Sequence, residues 1–391
     1  MQLFLMFCSS IILIYLGWGV FYQLIFSIAG RFWVEVELPP IGAYRKMVVL
    51  IPAYKEDKVI LQVAKAALAH DYPKEQFEVL VIADSLQADT LKELQKLPLR
   101  LVFVDFDQST KSKAINAALN QIPPHEFDVV VILDADNTMA PGFLHHINGH
   151  FELGHRIVQG CRAAKNENTP IAILDGLSES VNNHILGKGP IVLGLSARLA
   201  GSGMAFDETL FRSVMPKIDA IGGFDKALEL RLTGKGERIM YAPQAIILDE
   251  KVSKPEHFSQ QRSRWIAAQF YYAKRSFPDA LKALFVHGMI DYFNKAAQML
   301  LPPRLITPGV LFLFTLFWFL NGNANMGFSF AIILFFNIIS FLLALPNYTW
   351  RQPYINALFQ LPIIFLYALK SIGNTGKAHR QFIHTPHGES E

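Results

Sequence analysis

Cysteine is scarce in this chain. Only two occur in 391 residues, Cys8 and Cys161, so a disulfide framework is excluded and a reducing compartment is compatible. A large charge of one sign is also missing: the formal net charge of +3 is too small to argue for a nucleic-acid partner. Internal repeats and low-complexity tracts are absent. Charge disappears altogether from residues 3–28 and 305–345, and about 20 apolar residues suffice to cross a bilayer as a helix.

Hydrophobic residues make up 51% of the chain, with 31 Phe, and the excess sits at the two ends. The first seven residues carry no Lys or Arg, unlike the n-region of a cleaved signal peptide, so residues 1–30 are expected to stay as a transmembrane anchor. Arg31 and the basic residues that follow are consistent with the next domain lying on the cytoplasmic side of an inner or plasma membrane. Near the other end, Asn321, Gly322, Asn323 and Asn325 break the apolar run into spans near 305–320 and 326–345. A third segment, 354–369, is interrupted by Asn356, Gln360 and Pro362; it spans the bilayer or lies in its interface, within a membrane region expected over 305–371. Residues 285–301 mix apolar residues with Asp291, Asn294, Lys295 and Gln298 at helical spacing. Such a helix fits the membrane surface or packs as an ordinary amphipathic helix on the domain.

Between the ends, residues 46–277 alternate short Val/Ile-rich runs with helical patterns. The runs fall at 47–51, 77–83, 99–104 and 127–133, and the helical patterns at 58–70 and 111–121. That order predicts a parallel sheet wound with helices, which binds ligands at the carboxyl ends of its strands. What stands there is acidic: Glu56 after the first strand, Asp84 after the second, Asp105 after the third, and Asp134 with Asp136 after the fourth. Two carboxylates at one strand end suit a hard divalent cation, although acidic residues are also common in turns. Lys111 and Lys113 open a helix whose N-terminus favours anions, as a phosphate site does.

Taken in order, these segments resemble the glycosyltransferase family 2 enzymes, and in particular their membrane-embedded branch of cellulose, hyaluronan, chitin and poly-N-acetylglucosamine synthases. The resemblance implies an α/β, GT-A-type (Rossmann-like) nucleotide-sugar domain inserted between N- and C-terminal transmembrane helices. It carries over residue by residue. Ala53, Tyr54 and Glu56 resemble the nucleotide-binding first loop, Asp84 the uracil-reading acid and Lys113 the phosphate lysine. Asp134 and Asp136 resemble the metal-binding Asp-x-Asp, for Mg²⁺ or Mn²⁺. Gly201, Ser202 and Gly203 resemble the acceptor-lining segment, and Gln261, Arg264 and Trp265 form the Gln-x-x-Arg-Trp signature. At the catalytic element the family's Glu-Asp becomes Phe224-Asp225, which makes Asp225 the candidate base and Glu229, one helical turn later, its reserve.

The activity so implied is an inverting transfer from a UDP-sugar to a growing polysaccharide or glycan. The signature favours processive synthesis. The few membrane segments favour single transfer to a lipid-linked acceptor, or export that uses a partner subunit or second copy. A catalytically inactive scaffold or transporter subunit would require the intact acidic pair to be vestigial. The tail, 372–391, with Lys377, Arg380, Thr385 and Pro386, resembles the cytoplasmic Thr-Pro tails of that branch.

Overall fold

The computed structural model describes residues 2–253 and 255–373, so the Thr-Pro tail lies outside the described residues. The strands are β1 (Met47–Tyr54), β2 (Phe77–Asp84), β3 (Arg100–Val104), β4 (Val129–Ile132), β5 (Thr138–Met139), β6 (Ile157–Ala164), β7 (Met204–Asp207) and β8 (Met240–Asp249). Helices in and around the sheet are α1 (Gln2–Arg31), α2 (Ile60–Leu68), α3 (Ala88–Gln95), α4 (Lys111–Gln121), α5 (Phe143–Glu152), α6 (Pro170–Asn182), α7 (Gly189–Val192), α8 (Glu208–Val214) and α9 (Phe224–Thr233). Then come α10 (Pro255–His287), α11 (Ile290–Gln298), α12 (Thr307–Leu320), α13 (Ala324–Ala344), α14 (Tyr354–Leu358) and α15 (Leu361–Gly373).

One eight-stranded sheet runs in the order β3-β2-β1-β4-β7-β6-β8-β5. Its first half is the parallel sheet that the apolar runs predict, with β1 between β2 and β4 and Met47 to Ile51 fully buried. Continuous apolar strands of this kind need helices on both faces; α4 and α2 belong to the two cores.

The second half corrects the expectation of a purely parallel sheet. β7 runs back along β4, from Met204 beside Ile132 to Asp207 beside Val129, and is antiparallel to β6 as well. The cause is local: β7 starts next to the last residue of β4. The chain just before it, residues 199–203, is thereby delivered to the carboxyl end of the sheet, beside Asp134.

The C-terminal elements differ in detail from the apolar segments of the sequence. Two helices, α1 and α13, are long and apolar enough to cross a bilayer; Thr307–Leu320 and Leu361–Ser371 are apolar but shorter. Fourteen residues of α12 reach only about 21 Å. The third segment is divided between α14 and α15, and α15 docks on α10 through the Ser263 hydroxyl and the Ser371 carbonyl at 2.9 Å. α10 continues through Pro278 to His287, so residue 277 lies within that helix. α1, α12 and α13 pack through Leu16, Val20, Leu311, Trp318 and Phe330. Their outer faces expose large apolar side chains, among them Phe7, Phe21, Phe312, Phe328 and Phe335.

α11 turns its polar residues inward. Asp291 accepts from Ser196 N at 2.8 Å, Asn294 accepts from the Tyr22 hydroxyl at 2.7 Å, and Lys295 is fully buried. Phe285, Val286 and Ile290 are exposed instead. The amphipathic segment thus packs its polar face on the protein and presents an apolar outer rim.

α1 is docked closely on the sheet domain. His184 Nε2, in a π-helical stretch between α6 and α7, lies 2.8 Å from the Ser27 carbonyl oxygen, and a Cβ on Gly189 would come 2.4 Å from the Phe26 carbonyl oxygen. Because that neighbour is backbone, Gly189→Ala should separate the two elements at a cost of ~1–3 kcal/mol, read as a lower thermal midpoint of the purified protein. Gly17→Ala, whose Cβ would meet Ile333 at an ordinary 3.6 Å, should leave the midpoint unchanged.

Candidate active site

The ends of β1, β2 and β4 form one rim of the site. Tyr54 pairs with Asp84 in the register of β1 and β2, and the chain then turns sharply at both places: Lys55 and Ser85 adopt φ of 56° and 55°. Lys55 N donates to the Asp84 carbonyl at 3.1 Å, and the Ser85 hydroxyl donates to the Asp84 carboxylate at 3.0 Å. The acid is 2% exposed and is held by its own turn.

After β4, Asp134 and Asp136 project beside the 199–203 segment. Ser202 is the hinge between them. Its hydroxyl oxygen accepts from Asp134 N at 2.9 Å. In the amide orientation that satisfies both ends of Asn137, the same hydroxyl donates to the Asn137 carbonyl at 2.8 Å, and the Asn137 NH₂ donates to the two Asp136 oxygens at 3.2 and 3.3 Å. The loop is fixed in turn: Leu199 N donates to Glu229 at 2.6 Å, Ala200 N to Gln159 at 2.8 Å, and Arg162 Nη1 to the Ala200 carbonyl at 2.6 Å. Gly201 and Gly203 take φ of 88° and 64°, which glycine adopts without strain.

The lysine at the carboxylates is Lys111. Its ammonium pairs with Asp134, donates to the Gly201 carbonyl at 2.7 Å, and sits 5.8 Å from the centre of the Phe224 ring. Lys113 instead donates to the Gln108 carbonyl at 3.0 Å on the exposed side. Residues two apart on a helix point to opposite sides. Lys111 shares the stripe of Ala114, Ile115 and Ala118, which are buried, and Lys113 shares that of Asn116 and Ala117.

On the facing wall, α9 begins at Phe224 after Gly223, which has φ of 67° and makes no side-chain cap. Asp225 therefore stands in the first turn, where the helix end favours a carboxylate, 3.6 Å from the Lys226 ammonium. Phe224 is 6% exposed and part of the core. Glu229 is 2% exposed: burial pushes its carboxyl up, and its oxygens are engaged by Leu199 N and, at 3.9 Å, by Lys295.

From α10, Gln261, Arg264 and Trp265 reach the same space, and burial lowers the Arg264 guanidinium from its usual value. Arg262 stacks at 4.6 Å on the Trp265 ring and pairs with Asp175 at 2.5 Å. Further groups that the sequence reading did not single out complete the wall. Arg162 pairs with Asp249, Lys251 also pairs with Asp249, and Glu179 pairs with Arg198 at 2.5 Å. Burial alone would raise Glu179, but Arg198 and then Arg162 hold it well below the usual carboxylate range. Asp249 was legible as one more acid closing a strand; Glu179, inside a helix, carried no such signal.

All this encloses one cavity of ≈ 620 Å³. It is lined by Ala53, Tyr54, Glu56, Asp84, Asp134, Asp136, Gly201, Asp225, Glu229, Gln261, Arg264 and Trp265, while Ser202 and Gly203 stand behind the wall and Lys113 lies apart. Among the described residues no three His, Cys, Asp or Glu side chains converge as a metal cage. Asp134 and Asp136 both line the cavity, and their carboxylates offer hard oxygen donors of the kind a divalent cation takes.

Residues 45–268, more than half of the chain, match the family model described as glycosyltransferase like family 2. The chain belongs to that family and is a nucleotide-sugar glycosyltransferase. Over 300 residues, 75% of this chain and 67% of the relative, it is 23% identical to the probable glycosyltransferase YdaM of Bacillus subtilis strain 168. Its fold is similar to that of the mannosyltransferase PcManGT of Pyrobaculum calidifontis, solved with GDP-Man and Mn²⁺: the TM-score is 0.57, covering 94% of this chain and 98% of that one, at 15% identity.

The two lysines of α4 separate the geometry from the motif. Lys111→Met should lower sugar transfer by ~10-fold or more, the scale of a charge-assisted hydrogen bond, whereas Lys113→Met should stay within about twofold. Initial rates at saturating donor check both; the reverse order would return the role to Lys113.

Proposed function

We propose that the chain is an integral-membrane, inverting transferase that passes one sugar from a UDP-sugar to an acceptor presented by the bilayer, with the sugar-nucleotide domain on the cytoplasmic side. The observation that carries this reading is the single cavity. It begins at Ala53, Asp84 and Asp134 at the strand ends and continues to Val20 and Gln23 of α1 and Asn337 of α13, the two helices long enough to cross a bilayer. The exposed apolar belts of α1, α12 and α13 support membrane insertion, since soluble proteins seldom expose such patches. α15, with Leu361, Ile363 and Leu366 exposed and Ile364 and Ala368 buried, fits the interface better than a span.

Single transfer is favoured over processive synthesis because Leu16, Val20, Leu311, Trp318 and Phe330 fill the space shared by α1, α12 and α13. A polysaccharide channel would need further helices, from a partner subunit or a second copy.

In this reading Ala53, Tyr54, Glu56 and Asp84 hold the nucleoside. Asp134 and Asp136, oriented through Ser202 and Asn137, would hold Mg²⁺ or Mn²⁺, which use one or two carboxylates and complete their coordination with substrate phosphates. Bound there, the ion would neutralise the departing diphosphate. Lys111 and Arg264 add charge to the same end. Asp225 takes the proton of the acceptor hydroxyl as its oxygen attacks the anomeric carbon. Trp265, which lines the cavity with Arg262 stacked on its ring, serves the acceptor. Glu229, occupied at Leu199 N, positions the loop.

Asp225→Asn should keep nucleotide affinity while transfer falls by ~10²-fold or more, the usual scale for a general base; Glu229→Gln, which retains an acceptor for Leu199 N, should be milder. A dead Glu229→Gln beside an active Asp225→Asn would move the base one helical turn. In parallel, Asp136→Ala should abolish Mn²⁺-dependent nucleotide binding, measured by calorimetry, and undiminished binding would remove the metal site from the scheme.

A further inference from the structure

The far end of the cavity contains polar groups that the transfer chemistry leaves unused. Asn337 of α13 is 0% exposed, and neither its amide nitrogen nor its amide oxygen has a hydrogen-bond partner among the described residues. Arg304, just before α12, has a buried Nη1 that likewise has no partner among them. Both side chains line the cavity, as do Gln23 and Thr307. Gln23 is already tied to Ser340 at 2.6 Å and Thr307 to the Pro303 carbonyl at 3.2 Å.

An unmet buried amide costs free energy, and an unmatched buried guanidinium costs more. The charged groups with most influence on Arg304 are Arg198, Glu179 and Arg262. Arg198 and Arg262 have their own carboxylates, Glu179 and Asp175, whereas Arg304 has no ion pair among the described residues. Burial first, and then Arg198, lowers its pKa to about 9. Neutral sugar hydroxyls would satisfy hydrogen bonds there but leave the charge unmatched, whereas a phosphate satisfies both. Polar groups at the depth of membrane helices commonly mark a ligand path.

We propose that the inner end of the cavity binds the phosphate of a phosphorylated lipid acceptor, with Arg304 taking the phosphate oxygens and Asn337 a further oxygen of the head group. This deepens the proposed function by naming the acceptor class, and rests on that reading. The apolar tail would lie along α1 and α13, and the head group would extend towards Asp225. Arg304 comes from the segment just before α12, a different wall of the cavity from the Asp134 and Asp136 carboxylates after β4. A donor site and a separate acceptor-phosphate site would then share one cavity.

The test uses the full-length protein in zwitterionic-lipid nanodiscs and three probes: dodecyl phosphate, dodecanol and inorganic phosphate, with UDP and GDP titrated in the presence of Mn²⁺ on the same samples. Dodecyl phosphate should bind saturably and at least about tenfold tighter than either comparison probe, as expected when a charge-assisted contact and an apolar tail act together. Arg304→Gln should weaken it by about tenfold or more, Arg304→Lys less so, and nucleotide binding should stay within about twofold. Asn337→Leu removes an amide that has no partner among the described residues, so it should hold or raise the thermal midpoint while weakening dodecyl phosphate.

Equal binding of dodecanol would overturn the phosphate assignment. Equal binding of inorganic phosphate would show an anion site without a lipid. Loss of nucleotide binding in Arg304→Gln, with dodecyl phosphate unaffected, would assign the arginine to the donor. Absence of any nucleotide binding by the unaltered protein would instead fail the proposed function, so the two failures are separable.

Discussion

Two carboxylates, Asp134 and Asp136, follow β4 two residues apart and line one cavity, and much of the surrounding structure answers that constraint. Like charges at close range in a partly desolvated cleft raise each other's cost. Lys111 offsets part of it at Asp134, the Asn137 amide offsets part at Asp136, and the Ser202 hydroxyl joins the two arrangements. Ser202 can stand there only because β7 runs antiparallel to β4 and starts beside its last residue. The loop that carries it is pinned from three directions, by Glu229, Gln159 and Arg162, and Glu229 is itself braced by Lys295 of α11. The 199–203 loop, the carboxylate pair and α11 are therefore parts of one polar framework.

The same framework explains why the domain and its apolar helices are not loosely tethered. Gly30 and Gly189 let α1 approach the π-helical stretch and α7 closely: a Cβ on Gly30 would fall 2.6 Å from His184 Nε2. Tyr22, on α1, is linked by hydrogen bonds to Asn294 and Gln298 of α11. Such contacts fix the height of the strand ends above the helices, and a cavity that spans both needs that height to be constant.

Where local pattern determined structure, the sequence was readable. The first four strands are built on short apolar runs rich in Val, Leu and Ile, and α4 occupies the very residues, 111–121, that its apolar spacing marks. The antiparallel half was not readable, since β7 is four residues with no alternation and β6 contains Gly160 and Arg162. Motif position favoured Lys113, although the buried stripe of the same helix pointed to Lys111. Phe224, where the resemblance expects a glutamate, packs its ring in the core, and Asp225 beside it lines the cavity. Asn137, Arg304 and Asn337 were invisible in advance, because what distinguishes them is a partner, or its absence, far away along the chain.

The central claim is that a sugar-nucleotide site and a membrane-side acceptor site share one cavity. Its most direct test supplies the purified protein, in nanodiscs made from the lipids of its host membrane, with Mn²⁺ and a panel of labelled UDP- and GDP-sugars, and then separates organic from aqueous products. Label from one UDP-sugar should pass into the organic phase, and chelating the metal should stop it. Label that appears only in water-soluble saccharide, or transfer that is indifferent to the lipid supplied, would contradict the account.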